Sequence, residues 1–309
     1  MSAATWASGA VQIVGGLLLA PLLPGLVQHW KARLQGRRGP SPFQPYRELR
    51  RLWRKSAVDV EGTTAVYRLA PPVVAATLVS AVLLVPASRL APNWGLGHDM
   101  LALAGMLALA RFAVAAASWD VANGFALMGA SRDLTISVFV EVGLVLSVTV
   151  PALIAGTTDM PAMVAATSGA QAWSNPGLAL AAAAFAVVAI AEIGRQPVDN
   201  PDTHLELTMI HEGPLLEYAG RDLALLQWAG AARHWLVLVL AAQVFLPHPS
   251  NPWLELATLP LVLTALCAGL AATESAVAKV RILVAPRLIG VGAVVALLGI
   301  VTWLIGNAP

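Results

Sequence analysis

Eight apolar stretches divide the chain, at roughly 8–28, 67–87, 100–118, 134–155, 177–193, 223–246, 253–275 and 286–306. A helix of about 20 mostly apolar residues crosses a hydrocarbon core of about 30 Å, so the pattern predicts eight spans. The fifth is the shortest, but 178–190 is almost pure Ala, Val, Phe and Leu. Polar segments between the spans predict loops on one side of the membrane at about 29–66, 119–133, 194–222 and 276–285. In the first of these, Tyr46, Leu49 and Trp53 recur at helical spacing beside Leu52, while Arg47, Arg50, Arg51, Arg54 and Lys55 fill most of the remainder. That is the pattern of a short amphipathic helix lying in the membrane interface. Lys31 and Arg33 follow the first apolar run and no basic residue precedes it, which reads as a retained anchor rather than a signal peptide. The predicted fold is an all-α integral membrane protein forming one polytopic domain over 1–309. There is no internal repeat to support the inverted-repeat architecture of many transporters.

Composition narrows the class. Of 309 residues, 58% are hydrophobic and only 12% charged, against about 25% charged in soluble domains. The mean hydropathy is +0.72. An ordinary soluble enzyme and a disordered chain are both excluded. A single cysteine, Cys267, rules out an internal disulfide and an iron–sulfur cluster held by this chain alone. Residues 30–55 hold nine Lys or Arg against one acid, Glu48. Placing that loop in the cytoplasm brings Arg132, Arg195, Arg221, Lys279 and Arg281 inside too and leaves Arg89 in an outer loop. By the positive-inside rule both termini are then expected outside, as an even number of spans requires.

Charges within spans cost about 2.5–3.5 kcal/mol each on insertion scales, so they have partners or work. Arg111 lies in the third span, Glu141 in the fourth, Glu192 at the end of the fifth, Arg233 and His234 in the sixth, and Glu274 near the end of the seventh. Glu141, Glu192 and Glu274 all fall in the cytoplasmic half, at depths that would let them share one polar cavity. Two readings stay open. The arginines simply pair with these acids, or the acids form a proton relay, since burial raises a carboxyl pKa and a nearby arginine lowers it.

The richest loop runs from Glu192 through Arg195, Pro197, Asp199 and Pro201 to Arg221. The two prolines predict a stop to the fifth helix and an extended turn around Asp199. Thr203 with Glu206 three residues on has capping-box spacing, and the helix it would start would carry His204 and His211 on one face. Between 199 and 222 there are six acids and one arginine. The set His204, Glu206, His211 and Glu212 lacks HExxH spacing, so a hydrogen-bonded loop or partner contact is favoured over a metal site. No Walker sequence, dinucleotide fingerprint or nucleophile elbow is present.

These segments resemble a known family. Arg37-Arg38-Gly39-Pro40, followed by Gln44-Pro45-Tyr46-Arg47-Glu48-Leu49, resembles the first cytoplasmic loop of the membrane-anchor subunit of respiratory complex I, the subunit 1 family. Met128-Gly129-Ala130-Ser131-Arg132 with Glu141 resembles that family's Leu-Gly-Ala-Leu-Arg segment and the glutamate of the next helix. Glu192, Arg195, Pro197, Asp199, Pro201, Glu206 and Glu217-Tyr218-Ala219-Gly220 match its third cytoplasmic loop. Asp199-Asn200-Pro201-Asp202-Thr203-His204-Leu205-Glu206-Leu207-Thr208-Met209, then His211-Glu212, resembles the formate hydrogenlyase and hydrogenase-4 membrane subunits. The first loop lacks the second Gly-Pro stretch of the quinone-reducing pattern between Pro40 and Gln44, which counts against a full quinone pocket.

The resemblance implies a membrane subunit of a group 4 nickel–iron hydrogenase complex in a bacterial inner membrane. Its partners would be the hydrogenase large and small (iron–sulfur) subunits and antiporter-like membrane subunits. The chain itself would hold no cofactor and no redox centre, the nickel–iron centre and iron–sulfur clusters lying in the partners. It would couple electron transfer to proton or cation movement. Glu141, Glu192, Asp199, Glu206, Glu212, Glu217 and Glu274 are the expected ion path. Arg37, Arg38, Gln44, Arg132, Arg195, Asp202, His204, His211 and Arg221 are expected to shape the arm-facing cavity and docking surface. A quinone-binding component of an NADH:quinone oxidoreductase and a stand-alone ion transporter are the alternatives.

Overall fold

A computed structural model describes residues 2–92, 97–200 and 209–307, and its regular structure is helical throughout the described residues. Each of the eight apolar stretches is occupied by a helix. Six are long and apolar enough to cross a membrane: α4 (Ala65–Leu84), α5 (Met100–Val121), α6 (Gly124–Ala155), α9 (Gly220–Phe245), α10 (Pro252–Ala276) and α11 (Ala285–Gly306). The first stretch is a bent pair, α1 (Ala3–Ile13) with a π-helical turn (Val14–Leu19), then α2 (Leu22–Leu34), meeting at 62°. The fifth, α8 (Pro176–Glu192), has 17 residues and spans about 26 Å at 1.5 Å per residue, at the short end of what crosses a bilayer. The chain is a multi-pass membrane protein.

The bend in the first stretch has a covalent cause. Pro21 has no N–H to offer the Leu17 carbonyl one turn back. That carbonyl instead accepts from the Trp228 indole of α9 at 2.9 Å. The neighbouring Leu18 carbonyl accepts from the Tyr46 hydroxyl at 2.6 Å. Tyr46 belongs to α3 (Gln44–Trp53), the predicted amphipathic helix. Leu52 is its buried residue, and the arginines Arg47, Arg50, Arg51 and Arg54 are exposed.

Caps set the other boundaries. Asp99, Asn123, Asn175 and Asn251 each accept from backbone N–H groups at the start of α5, α6, α8 and α10. The cap at Asn123 corrects one expectation, because 124–133 is not loop but the first turns of α6. That helix has 32 residues, about 48 Å, and so projects well beyond the hydrocarbon layer. A short helix, α7 (Met160–Thr167), lies between two predicted spans, where the apolar pattern predicts no element.

α9 is the most buried span, packing against α4, α8 and α10. α8 and α11 approach so closely that a Cβ on Gly177 would lie 2.6 Å from the Gly299 carbonyl, the small-residue packing that membrane helices use in place of a hydrophobic drive. One end of the bundle gathers Arg89, Thr158 and Ser250: Arg89 donates to the Pro249 and Ser250 carbonyls, and Thr158 donates to Asp99 at 3.0 Å. Both chain ends lie there as well, Ser8 against Ser88 at 3.0 Å and Asn307 lining one niche with Asn175. The opposite end gathers α3, the start of α6 and the loops after α8 and α10.

Candidate functional site: a charged cavity under the long loop

α8 stops at Glu192, and a turn carries the chain through Gly194, Arg195 and a cis Gln196–Pro197 bond to Asp199. Gly194 has φ +63°, and a Cβ there would sit 2.8 Å from the His211 ring. Only glycine takes this backbone and leaves room for the imidazole. Beneath the turn is a cavity of about 380 Å3. Its walls come from Pro24 and Gln28 of α2, Gln44 and Glu48 of α3, Arg111 of α5, Asp133 of α6, Glu192, Arg195, Asp199, His211, and Arg233 and His234 of α9.

Three ionic groups surround it. Deepest, Arg111 meets Glu192 at 2.5 Å, each side chain only 2% exposed. Arg111 also donates to the Glu192 carbonyl at 3.2 Å, and Arg233 lies 3.8 Å from the other carboxylate oxygen. The second group is centred on Glu274, which meets Lys31 at 3.0 Å and Arg195 at 3.3 Å. It ties α10, α2 and the turn after α8 together. The third is centred on Asp199. Lys279 donates to it at 2.7 Å, the His211 ring lies at 3.0 Å through Nδ1, and the His211 backbone N–H donates at 3.1 Å. His211 Nε2 in turn faces Asp133 at 3.5 Å. Burial works against the Asp199 charge, but the bonds and charges of His211 and Lys279 outweigh it and hold its carboxyl well below the usual carboxylate range.

The expected site residues are thus dispersed. Gln44, Glu192, Arg195, Asp199, His211 and Glu212 line the cavity. Glu274 is buried behind Arg195 and does not line it. Glu141 is half-buried on α6 beside the exposed Val138 and Val142, and makes no hydrogen bond or ion pair with the described residues. Its electrostatic neighbours are Arg111, Glu192, Arg233 and Asp133. The three glutamates therefore do not share one cavity, because Glu274 is consumed by two cations and Glu141 faces away from the opening. Arg132 pins the loop, donating to the Met209 carbonyl at 3.3 Å.

Glu217 acts through its backbone, its carbonyl accepting from Tyr67 at 2.8 Å. The Tyr218 hydroxyl donates back to the Tyr67 carbonyl at 2.8 Å, and the two rings stack with centroids 4.4 Å apart. Desolvation pushes the Tyr218 phenol above its ordinary range, so it stays a donor. Arg37, Arg38 and Arg221 are exposed and away from the cavity. Asp202, His204 and Glu206 lie outside the described residues. So does the start of the helix expected from Thr203. At His211 the chain is bent rather than helical, because Asp199 takes the backbone N–H and Gly213-Pro214 follow. Asp133, Lys31 and Lys279 are partners that spacing alone does not single out.

A family model described as NADH dehydrogenase matches residues 8–305. Hydrogenase-4 component C of Escherichia coli (strain K12) is 34% identical over 300 residues, covering 94% of this chain and 93% of that protein. Formate hydrogenlyase subunit 4 of the same organism is 31% identical over 287 residues, covering 89% and 91%. An NADH-quinone oxidoreductase subunit of Rhodopseudomonas palustris (strain ATCC BAA-98 / CGA009) is 30% identical over 232 residues, covering 72% and 70%. A chain from the structure of the membrane-bound sulfane sulfur reductase, an archaeal respiratory membrane complex, shares the fold with a TM-score of 0.83 over 97% of this chain and 99% of its own, at 19% identity. By sequence along nearly its whole length the chain belongs to the NADH dehydrogenase family, with hydrogenase-4 component C, formate hydrogenlyase subunit 4 and membrane components of NADH-quinone oxidoreductase among its relatives.

Proposed function

We propose that this chain is the membrane-anchor subunit of a group 4 nickel–iron hydrogenase complex. It docks a soluble arm carrying the hydrogenase large and small subunits and couples electron transfer there to proton or cation movement through antiporter-like neighbours. One observation carries the reading: likeness to the two hydrogenase subunits covers 94% and 89% of the chain, against 72% for the quinone oxidoreductase relative. The arm would sit over the long loop, above the cavity. Asp199, Arg195 and His211 order that loop from beneath, while Arg37, Arg38 and Arg221 offer exposed charge around it. The redox centres belong to the partners, and this chain contributes the surface and the charged path below it.

Purification of the complex through a tag on this chain tests the reading. Nickel and iron are expected to co-purify with hydrogen-evolving activity that quinone-site inhibitors leave untouched. An arm that oxidises NADH and is stopped by such inhibitors would establish the quinone-reducing alternative. Transport activity in the isolated chain would establish the transporter.

The orientation has its own test. Cysteines introduced at Ser41 should react with impermeant reagents only from the cytoplasmic side, and those at Thr158 and Ser250 only from outside. Cys267 is buried and gives little background. Labelling at Ser41 in intact cells would invert the topology.

A further inference from the structure

His211 stands between two carboxylates from different elements. Nδ1 lies 3.0 Å from Asp199 in the turn after α8, and Nε2 lies 3.5 Å from Asp133 on α6. The two carboxylates are not equivalent. Asp199 already accepts from Lys279 at 2.7 Å, from the His211 backbone N–H at 3.1 Å and from the Asn200 N–H at 2.8 Å. Asp133 Oδ1 and His211 Nε2 are buried, and neither has a hydrogen-bond partner among the described residues. A neutral imidazole donates from one nitrogen and accepts at the other. A fully engaged Asp199 beside Nδ1 assigns the proton to that nitrogen and fixes the ring. Nε2 is left as the exchanging atom, aimed at a carboxylate across a gap slightly too long for a hydrogen bond.

We propose that His211 is a proton-carrying group of the coupled complex, exchanging a proton through Nε2 with Asp133 while Asp199 and Lys279 hold the ring in place. This rests on the coupling function proposed above. Nε2 takes a proton from water in the cavity and the ring becomes an imidazolium. The ring then releases that proton to Oδ1 of Asp133 and returns to neutral. Closing the gap by a few tenths of an ångström suffices, and the carboxyl so formed lies next to the deeper charges.

The charged groups around the ring come from every packed element. They are Asp133 and Arg132 on α6, Glu192 and Arg195 at the end of α8 and just past it, Asp199 in the turn, Lys279 after α10, Glu212 beside the histidine, Arg111 on α5 and Arg233 on α9. Among the described residues, Asp133 is the carboxylate that faces Nε2 within 4 Å. The path is therefore specific to one pair.

The test uses the whole complex in sealed vesicles and reads charge moved across the membrane per hydrogen evolved. His211→Gln and Asp133→Asn keep polar shape without titrating, and each is expected to lower that ratio at least tenfold. In His211→Ala, added imidazoles should restore the ratio, to an extent that follows their basicity, which a packing role would not produce. An unchanged ratio in His211→Gln, with the unsubstituted complex moving charge, overturns the relay alone. An unsubstituted complex that evolves hydrogen without moving charge overturns the relay together with the coupling reading beneath it.

Discussion

Replacing Arg111 by methionine is expected to remove the assembled complex from the membrane almost completely. The substitution leaves the Glu192 carboxylate, 2% exposed, without the guanidinium that meets it at 2.5 Å. Arg233 is 3.8 Å away and does not replace that bond. Breaking a buried pair from one side costs about 3–5 kcal/mol, a large part of the roughly 5–15 kcal/mol that holds a typical protein folded. Glu192→Gln should lose yield for the reciprocal reason, leaving Arg111 charged and unpaired. The double variant Arg111→Met/Glu192→Leu should recover most of the yield, since an apolar pair of similar volume avoids both desolvation penalties. Coupled turnover then separates the roles. If Glu192 passes protons, the recovered double variant stays uncoupled; if the pair only balances charge, coupling returns with the yield. Glu141 is the control. It has no ion-pair partner among the described residues, so Glu141→Gln should accumulate normally and show any loss in coupling alone. Yield by immunoblot and hydrogen evolution under an imposed gradient, measured side by side, decide the matter. Normal accumulation of Arg111→Met would refute the buried pair.

Asp199→Ala is expected to detach the soluble arm. One carboxylate holds Lys279 at 2.7 Å, the His211 ring at 3.0 Å and the His211 N–H at 3.1 Å, so its loss frees three donors and unpins the loop from both sides. The share of hydrogenase activity sedimenting with membranes should fall at least tenfold. Asp199→Asn should fall less, because the amide oxygen still accepts one bond, and Lys279→Met should do the same. The dependence on pH follows from the direction of the shift. A carboxyl held below its ordinary value contributes stability that is complete above the unfolded value of about 3.9 and fades only as pH drops towards the folded one. Attachment through Asp199 should therefore be insensitive to pH across the neutral range. Full attachment in Asp199→Ala would show that the arm rests elsewhere.

Much of the architecture is legible because an apolar run of bilayer length has one stable fate. All eight stretches are helices, and Pro21 within the first foreshadows its bend. The start of α6 is hidden for a related reason: the polar residues at 124–133 have the composition of a loop, although a capped helix is free to continue into water. Pairings are the illegible part. Arg111 and Glu192 are 81 positions apart, and Asp199 and Lys279 are 80 apart, distances over which spacing carries no information. Lys31 counts as one of nine basic loop residues, yet it is 7% exposed and serves Glu274 inside the bundle. Asp133 carries no signal beside Arg132, since no periodic pattern marks a single acid on a helical extension.

The break in the first span has a consequence for how the protein is made. The Leu17 carbonyl exposed by Pro21 is satisfied by Trp228, which lies 211 positions later in the chain. A nascent first span therefore leaves the translocon with an unsatisfied carbonyl in a lipid environment, where such a group costs several kcal/mol. It reaches its final bent form only once the sixth span has been synthesised and inserted beside it. Biogenesis of this subunit is in this sense closed by its middle. A ribosome stalled before that tryptophan would leave behind a first span still waiting for its shape.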